Sequence, residues 1–307
     1  MSRTLFAIGS LAWCCIPATA GAGEFSWDLF GAELQSELGD LQDTDGQALA
    51  ATYYFDPVDD SRGPYSLATF LDPVSRVSAS VSHTRRTFHP INLGIVLPPG
   101  AVLQDSTVTT DDYTIGGRYV LSGSKWYAGG DYTKSKDDSV FDNDSKAYRV
   151  LAGRYLGPKT SLELALNRSE YDTDFAKSMA EDVGLSFVHV QSLPSLTYSL
   201  FGGVVQTNAH VTFAPQLFAG SGFPRDWAYS FGGEVFPTTK LGVRVGYTRF
   251  DGGANDDSYD VAATWFFKRN VGIQISWSRV RNDSMFINPN LATPTNDTAD
   301  IRFIGRF

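Results

Sequence analysis

Ala299-Asp300-Ile301-Arg302-Phe303-Ile304-Gly305-Arg306-Phe307 ends the chain, and its residues sort into two faces. Ala299, Ile301, Phe303, Gly305 and Phe307 fall on one, and Asp300, Arg302, Ile304 and Arg306 on the other. Successive side chains of a strand point to opposite sides, so the segment reads as a strand with one apolar and one mostly charged face. In a soluble sandwich the charged face would meet bulk water. In a transmembrane barrel it lines the interior and the apolar face meets lipid.

The pattern recurs upstream. Val271, Ile273, Ile275 and Trp277 alternate with Gly272, Gln274, Ser276 and Ser278, and Tyr259, Val261, Ala263, Trp265 and Phe267 with Ser258, Asp260, Ala262, Thr264 and Phe266. Leu241 to Thr248, Trp227 to Val235, Ser161 to Leu166, Trp126 to Thr133, Tyr113 to Tyr119, Val77 to Ser82 and Leu49 to Phe55 behave alike. Runs of about 9 to 11 residues suit tilted strands crossing a bilayer. Aromatics such as Phe55, Tyr119, Tyr132, Tyr155, Tyr247, Phe267 and Phe307 collect near run ends, where interfacial girdles belong.

Gaps between runs alternate short and long. The short ones include Ser122-Gly123-Ser124-Lys125, Gly157-Pro158-Lys159-Thr160 and Lys268-Arg269-Asn270; the long ones include Thr84 to Thr110, Gln206 to Arg225 and Arg281 to Asp297. Outer-membrane barrels pair short periplasmic turns with long outer loops. The expected fold is therefore an all-β, antiparallel up-and-down barrel. It has about 14 strands, with 12 or 16 as alternatives. The spans are 25–38, 46–56, 68–83, 111–121, 125–135, 145–156, 160–170, 182–191, 195–206, 226–236, 240–250, 258–267, 271–281 and 298–307.

Three spans fit less well. Trp27, Phe30, Leu34 and Leu38 are spaced as on a helix, so 25–40 reads as a bulged strand or a short helix. In 182–191, Leu185, Phe187 and His189 compete with Val188 and Val190 for the outer face. In 145–156 the apolar set Leu151, Gly153 and Tyr155 carries Arg149 outward with it.

The first residues have the build of a secretory signal: Arg3, an apolar Leu5 to Ile16, and the small-residue motif Ala18-Thr19-Ala20 or Ala20-Gly21-Ala22. The expected division is a signal peptide at 1–22 and a barrel domain at 23–307. Both cysteines, Cys14 and Cys15, lie in the signal, which excludes a disulfide framework from the mature barrel. Trp13 disfavours a lipidation site at Cys14. No later window of about 18 residues is apolar enough for a membrane helix. A net charge of -9 argues against nucleic acid as partner.

Tyr53-Tyr54-Phe55-Asp56-Pro57-Val58, followed by Gly63-Pro64-Tyr65-Ser66-Leu67-Ala68-Thr69-Phe70-Leu71 and Ser75-Arg76-Val77-Ser78-Ala79-Ser80-Val81, resembles the general porins of proteobacteria. Tyr65 and Ser66 stand where that family more often has Pro-Leu and Glu. The resemblance implies an outer-membrane porin that lets ions and small hydrophilic solutes diffuse through a water-filled barrel. It also implies that the terminal Phe307 is read by the barrel assembly machinery. Outer-membrane lipid and lipopolysaccharide complete the expected partners, and a homo-oligomer is compatible with them. No enzyme activity, cofactor or metal is implied. The alternatives are a plugged or structural barrel that binds or adheres, and a barrel hydrolase.

Inward candidates for lining a pore are Arg118, Asp131, Glu163, Glu234, Arg244, Asp260, Asp300, Arg302 and Arg306. Opposed acids and bases across a narrow passage tune ion preference, and here the signs are mixed. None of His83, His89, His189 and His210 has zinc-site spacing. His83-Thr84-Arg85-Arg86 is the local candidate for hydrolase chemistry. The acidic stretches Asp137-Asp138, Asp142-Asn143-Asp144 and Asn255-Asp256-Asp257 lack the Gly and Glu of a calcium loop. Pro90 to Gly100, inside the longest loop, is apolar enough to suggest a constriction or a subunit latch. A folded plug is expected only from Phe25 to Asp40.

Overall fold

The structure, a computed structural model, describes residues 24–38, 42–89, 105–138, 144–172, 176–213, 226–251, 255–281 and 295–307. Fourteen strands follow in order: β1 Glu24–Leu38, β2 Gln42–Asp59, β3 Arg76–Phe88, β4 Ser106–Val120, β5 Trp126–Asp137, β6 Asp144–Gly157 and β7 Thr160–Asp172. Then come β8 Ala176–Leu193, β9 Leu196–Phe213, β10 Asp226–Phe236, β11 Leu241–Asp251, β12 Asn255–Lys268, β13 Val271–Arg281 and β14 Thr295–Arg306. Each pairs antiparallel with the next, and β1 pairs with β14, which closes the sheet. The Phe307 carbonyl accepts from Ser26 N (2.7 Å) and Trp27 N (2.8 Å) at that seam. Closure leaves no open edge, the condition a sheet must meet in lipid.

The alternation fixes which face each residue takes. Ile115 pairs with Tyr132 and Tyr132 with Tyr148, and Val261 pairs with Trp277 and Trp277 with Ala299. Such rows point outward and are exposed at Tyr113, Ile115, Val150, Leu164, Phe231, Val245, Ile275 and Phe303. Trp27, Trp126, Trp265 and Phe267 ring the end that carries the short turns, and Tyr148, Tyr229, Tyr259 and Trp277 the other. No helix of the described residues is long and apolar enough to cross a membrane.

The difficult spans resolve. Residues 24–38 are a strand, with Phe30, Ala32 and Leu34 inward and Gly31, Glu33 and Gln35 outward. Apolar residues on both faces had imitated helical spacing. In β8, Leu185 and Phe187 face out while Val190 is fully buried inside. In β6 the sequence expectation is corrected. Leu151, Gly153 and Tyr155 share the inner face with Arg149, and Tyr148, Val150 and Ala152 face out. Gly153 lets the Tyr127 ring lie against the inner wall, at a place where a Cβ would strike that ring.

The strand expected over 68–83 is also corrected. It begins only at Arg76. Residues 60–75, between β2 and β3, hold two 3-10 turns (Asp60–Arg62 and Tyr65–Leu67) and one helical turn, α1 (Ala68–Leu71). Asp59 caps the first turn by accepting from Ser61 N at 2.9 Å. This segment folds into the short-turn end and supplies the barrel's core. Ala68 packs with Phe25, Tyr54 and Val58. Phe70 packs against Tyr127, Leu151, Tyr155 and Ala165, and Leu67 against Val190 and Phe236.

Candidate functional site

The interior of the barrel is where the chemistry lies, and the segment 60–74 sets its geometry. The segment is fastened around the circumference. The Arg269 guanidinium, in the β12–β13 turn, binds the buried Asp60 carboxylate. Tyr65 N donates to Thr239 O at 2.9 Å, and the Tyr65 ring stands edge-on to Phe266 at 5.8 Å. Arg62 bridges Asp59 at 3.1 Å and Asp72 at 3.0 Å, which braces the segment internally.

Arg306 joins wall to segment. Its guanidinium donates to Asp28 Oδ1 at 3.0 Å and to the Tyr65 carbonyl, and lies over the rings of Phe25 (4.6 Å) and Phe266 (4.8 Å). Tyr54 OH donates to the other Asp28 oxygen at 2.8 Å. Asp28 and Arg306 are 2% and 5% exposed, so each needs the other. Arg306 was expected to line the passage; it points inward but is enclosed.

The remaining inward charges form local groups. Glu163 on β7 takes Arg118 of β4 at 2.8 Å and Arg149 of β6 at 2.9 Å. Arg118 also lies over the Tyr127 ring at 4.4 Å, and its Nε is buried without a partner. Arg244 reaches Asp260 at 3.4 Å and covers Phe201 at 4.3 Å. Arg302 binds Asp300 at 3.0 Å, and Asp300 also accepts from Ser276. Asp131 lies across Gly116, and Glu234 faces a chamber of about 410 Å³ above the segment. The nine sequence candidates thus share the inner face but form separate groups on different arcs of the wall.

Sequence reasoning missed two interior features. One is the segment itself, whose signal was the turn-rich Asp59-Asp60-Ser61-Arg62-Gly63-Pro64. The other is Arg76, which lines the same chamber as Glu234. The histidines lie elsewhere. His83 faces outward and meets Asp111 at 2.8 Å. His189 meets Thr160 at 2.8 Å. His89 sits between Asp43 (3.1 Å) and Asp105 (3.3 Å) where the longest loop leaves the wall. That loop is shorter than the sequence suggested, because β3 runs to Phe88 and β4 starts at Ser106. Its apolar stretch Pro90–Gly100, the signal region 1–22, Asp142, Asn143 and the His210 side chain lie outside the described residues. Asp137 and Asp138 are occupied in holding Thr110 and Thr109.

These features define a class: a closed up-and-down barrel, apolar outside, charged inside, with a segment folded into one mouth. Solved structures share the barrel fold. Omp33 of Acinetobacter baumannii is 16% identical over 94% of this chain and 100% of its own, with a TM-score of 0.58. The toluene transporter TodX of Pseudomonas putida is 12% identical over 97% of this chain and 94% of its own, with a TM-score of 0.56. At such identities the likeness is one of fold. No family model and no curated protein matches the chain. The stretch 53–81 forms the end of β2, the lumen segment and the start of β3.

Proposed function

We propose that the chain is an outer-membrane channel through which ions and small hydrophilic solutes diffuse passively. The observation that carries this reading is the distribution of polarity on a closed barrel. Val245, Ile275 and Phe303 point out, while Arg149, Glu163, Arg244, Asp260 and Arg302 point in. Lipid accepts the first set, and only a wet interior accommodates so many of the second. The fold likeness to outer-membrane barrels supports the location.

On this reading residues 1–22 are removed on export, and the short-turn end, with both termini, faces the periplasm. Phe307 and β14 engage the assembly machinery. Lipid and lipopolysaccharide surround the wall. No cofactor or catalytic cycle is required. Segment 60–74 narrows the periplasmic mouth, so conductance should be small for a barrel of this strand number.

A second reading rests on the same segment. Its packing across the mouth suits a plugged barrel that opens only when the segment is displaced. Current through the refolded mature chain in a planar bilayer separates the two. Stepwise ohmic openings uphold the open channel. Silence from folded protein, with current restored when 61–73 is replaced by a Gly-Ser linker, upholds the plug. Silence from both overturns the channel.

A further inference from the structure

One inner surface departs from the charged lining of the rest of the lumen. Phe30, Ala32 and Leu34 on β1 stand beside Ala50, Ala48 and Gly46 on β2, residue for residue. They make a continuous apolar patch three rows deep along a cavity of about 500 Å³. Leu151 and Tyr155, also on the inner face, pack on Phe70. Among the described residues no hydrophobic cluster takes in the β1–β2 patch; Phe30, Ala32, Leu34, Ala48 and Ala50 are half-buried, Gly46 is buried, and all six line the cavity together with Ser80, Asp300 and Arg302.

The chamber of about 410 Å³ adjoins this cavity, since Phe30 lines both. Arg76 stands in it with Ser78 and Thr52. Arg118, Arg244, Arg302 and Arg306 each have a carboxylate within salt-bridge distance; Arg76 has none among the described residues. Asp28, whose charge Arg76 feels on the same wall, is already engaged by Arg306 and Tyr54. Glu234 also lines the chamber, but from β10 on another arc of the wall. Ser80, whose row contains Ala50 and Phe30, lies four residues along β3 from Arg76, about 13 Å. One molecule can span that distance.

We infer that the lumen holds a binding site for a small amphipathic anion, a carboxylate with a medium-length apolar tail. The head sits at Arg76, and the tail lies on Phe30, Ala32, Ala48 and Ala50. A simple inorganic anion would use the guanidinium and leave the patch wet; a neutral apolar solute would leave the guanidinium unpaired. The inference deepens the channel reading by naming a solute class, but equilibrium binding tests it without any current.

The probe is octanoate, titrated calorimetrically into the whole mature chain in nanodiscs, with empty nanodiscs subtracted. Saturable one-site binding is expected, with acetate silent and octanol at least about tenfold weaker, since a charge-assisted hydrogen bond is lost. From heptanoate to nonanoate each methylene should tighten binding about fourfold. Arg76→Gln should reduce octanoate to the octanol level and leave octanol unchanged. Ala48→Phe should abolish both, with folding of each variant checked by its heat-dependent gel shift. Octanoate uptake equal to that of empty nanodiscs, or undiminished in the folded Arg76→Gln chain, overturns the site. So does a gain of tenfold or more on deleting 92–102, because the patch would then be the seat of that stretch. Saturable binding by a chain that passes no current would uphold the site and defeat only the channel.

Discussion

Two ion pairs of similar length mark the two ends of the barrel. At the short-turn end Arg306 meets Asp28 at 3.0 Å, with both side chains almost out of reach of solvent. At the long-loop end Arg279 meets Asp297 at 2.6 Å and 2.7 Å through two hydrogen bonds, with the side chains 47% and 38% exposed. Geometry favours the second pair, yet burial makes the first matter. A lone charge in water loses little when its partner goes, whereas a lone charge enclosed by Phe25, Phe266 and Tyr54 has nowhere to find a substitute.

The largest effect should come from breaking the buried pair. Arg306→Ala leaves the buried Asp28 carboxyl without its cation and removes the donor to the Tyr65 carbonyl. A loss of about 3–5 kcal/mol is expected in urea unfolding followed by gel shift. The double variant Asp28→Asn, Arg306→Met should recover much of that loss, because a pair removed together leaves no orphaned charge. No recovery would mean that the contact with Tyr65, rather than charge, dominates.

The next effect concerns the segment's apolar footing. Leu67→Ala removes packing against Val190 and Phe236 and should cost about 2–4 kcal/mol. If segment 60–74 limits the passage, the same change should raise mean single-channel conductance or its flicker, with the wall unchanged. Lost stability at constant conductance would make the segment a structural brace only.

The same contrast explains what the sequence could reveal. Alternation needs only local information, so most of the fourteen strands and the inward direction of Arg118, Asp131, Glu163 and Asp260 were legible from period, while β1 with its helical spacing and the start of β3 were not. Leu151, Tyr155, Phe30 and Leu34 were not, because the rule that apolar residues face lipid assumes a water-filled interior. Once Phe70 and Leu67 enter that interior, an inward Leu or Tyr gains burial. The segment was missed because Ala68, Phe70 and Leu71 can be read as the start of a strand. Only the turn chemistry at Asp59–Pro64 argued otherwise, through the Asp59 cap and Gly63 before Pro64. The pairings of Glu163 with two arginines depend on register across four strands, which no period encodes.

At the long-loop end the expected effects are smaller and depend on pH. Two carboxylates hold His89 above its ordinary pKa, first through the hydrogen bond to Asp43 and then through that to Asp105. A raised value means the contact is complete below the unfolded histidine value, about 6.5, and fades as pH climbs through the folded one. Amide exchange at Phe88 and Ser106, corrected for its intrinsic rate, should therefore be better protected at pH 5.5 than at pH 9. His89→Gln should flatten the difference. Protection that stays level or rises with pH would show that the imidazolium does not hold the two acids together across this gap.

The smallest expected effect is the sharpest check on the comparison. Arg279→Ala removes two short hydrogen bonds but leaves Asp297 free to take up water, so unfolding midpoints should not move measurably at physiological salt. Arg279 also lies over Trp277 at 5.2 Å, so the variant gives up a ring contact as well as an ion pair. A shift approaching that of Arg306→Ala would mean that the outer rim is shielded from solvent in the folded membrane protein. The difference between the two ends would then lie in what surrounds the barrel rather than in what fills it. Repeating the measurement in high salt separates these cases, since an exposed pair is screened and a shielded one is not.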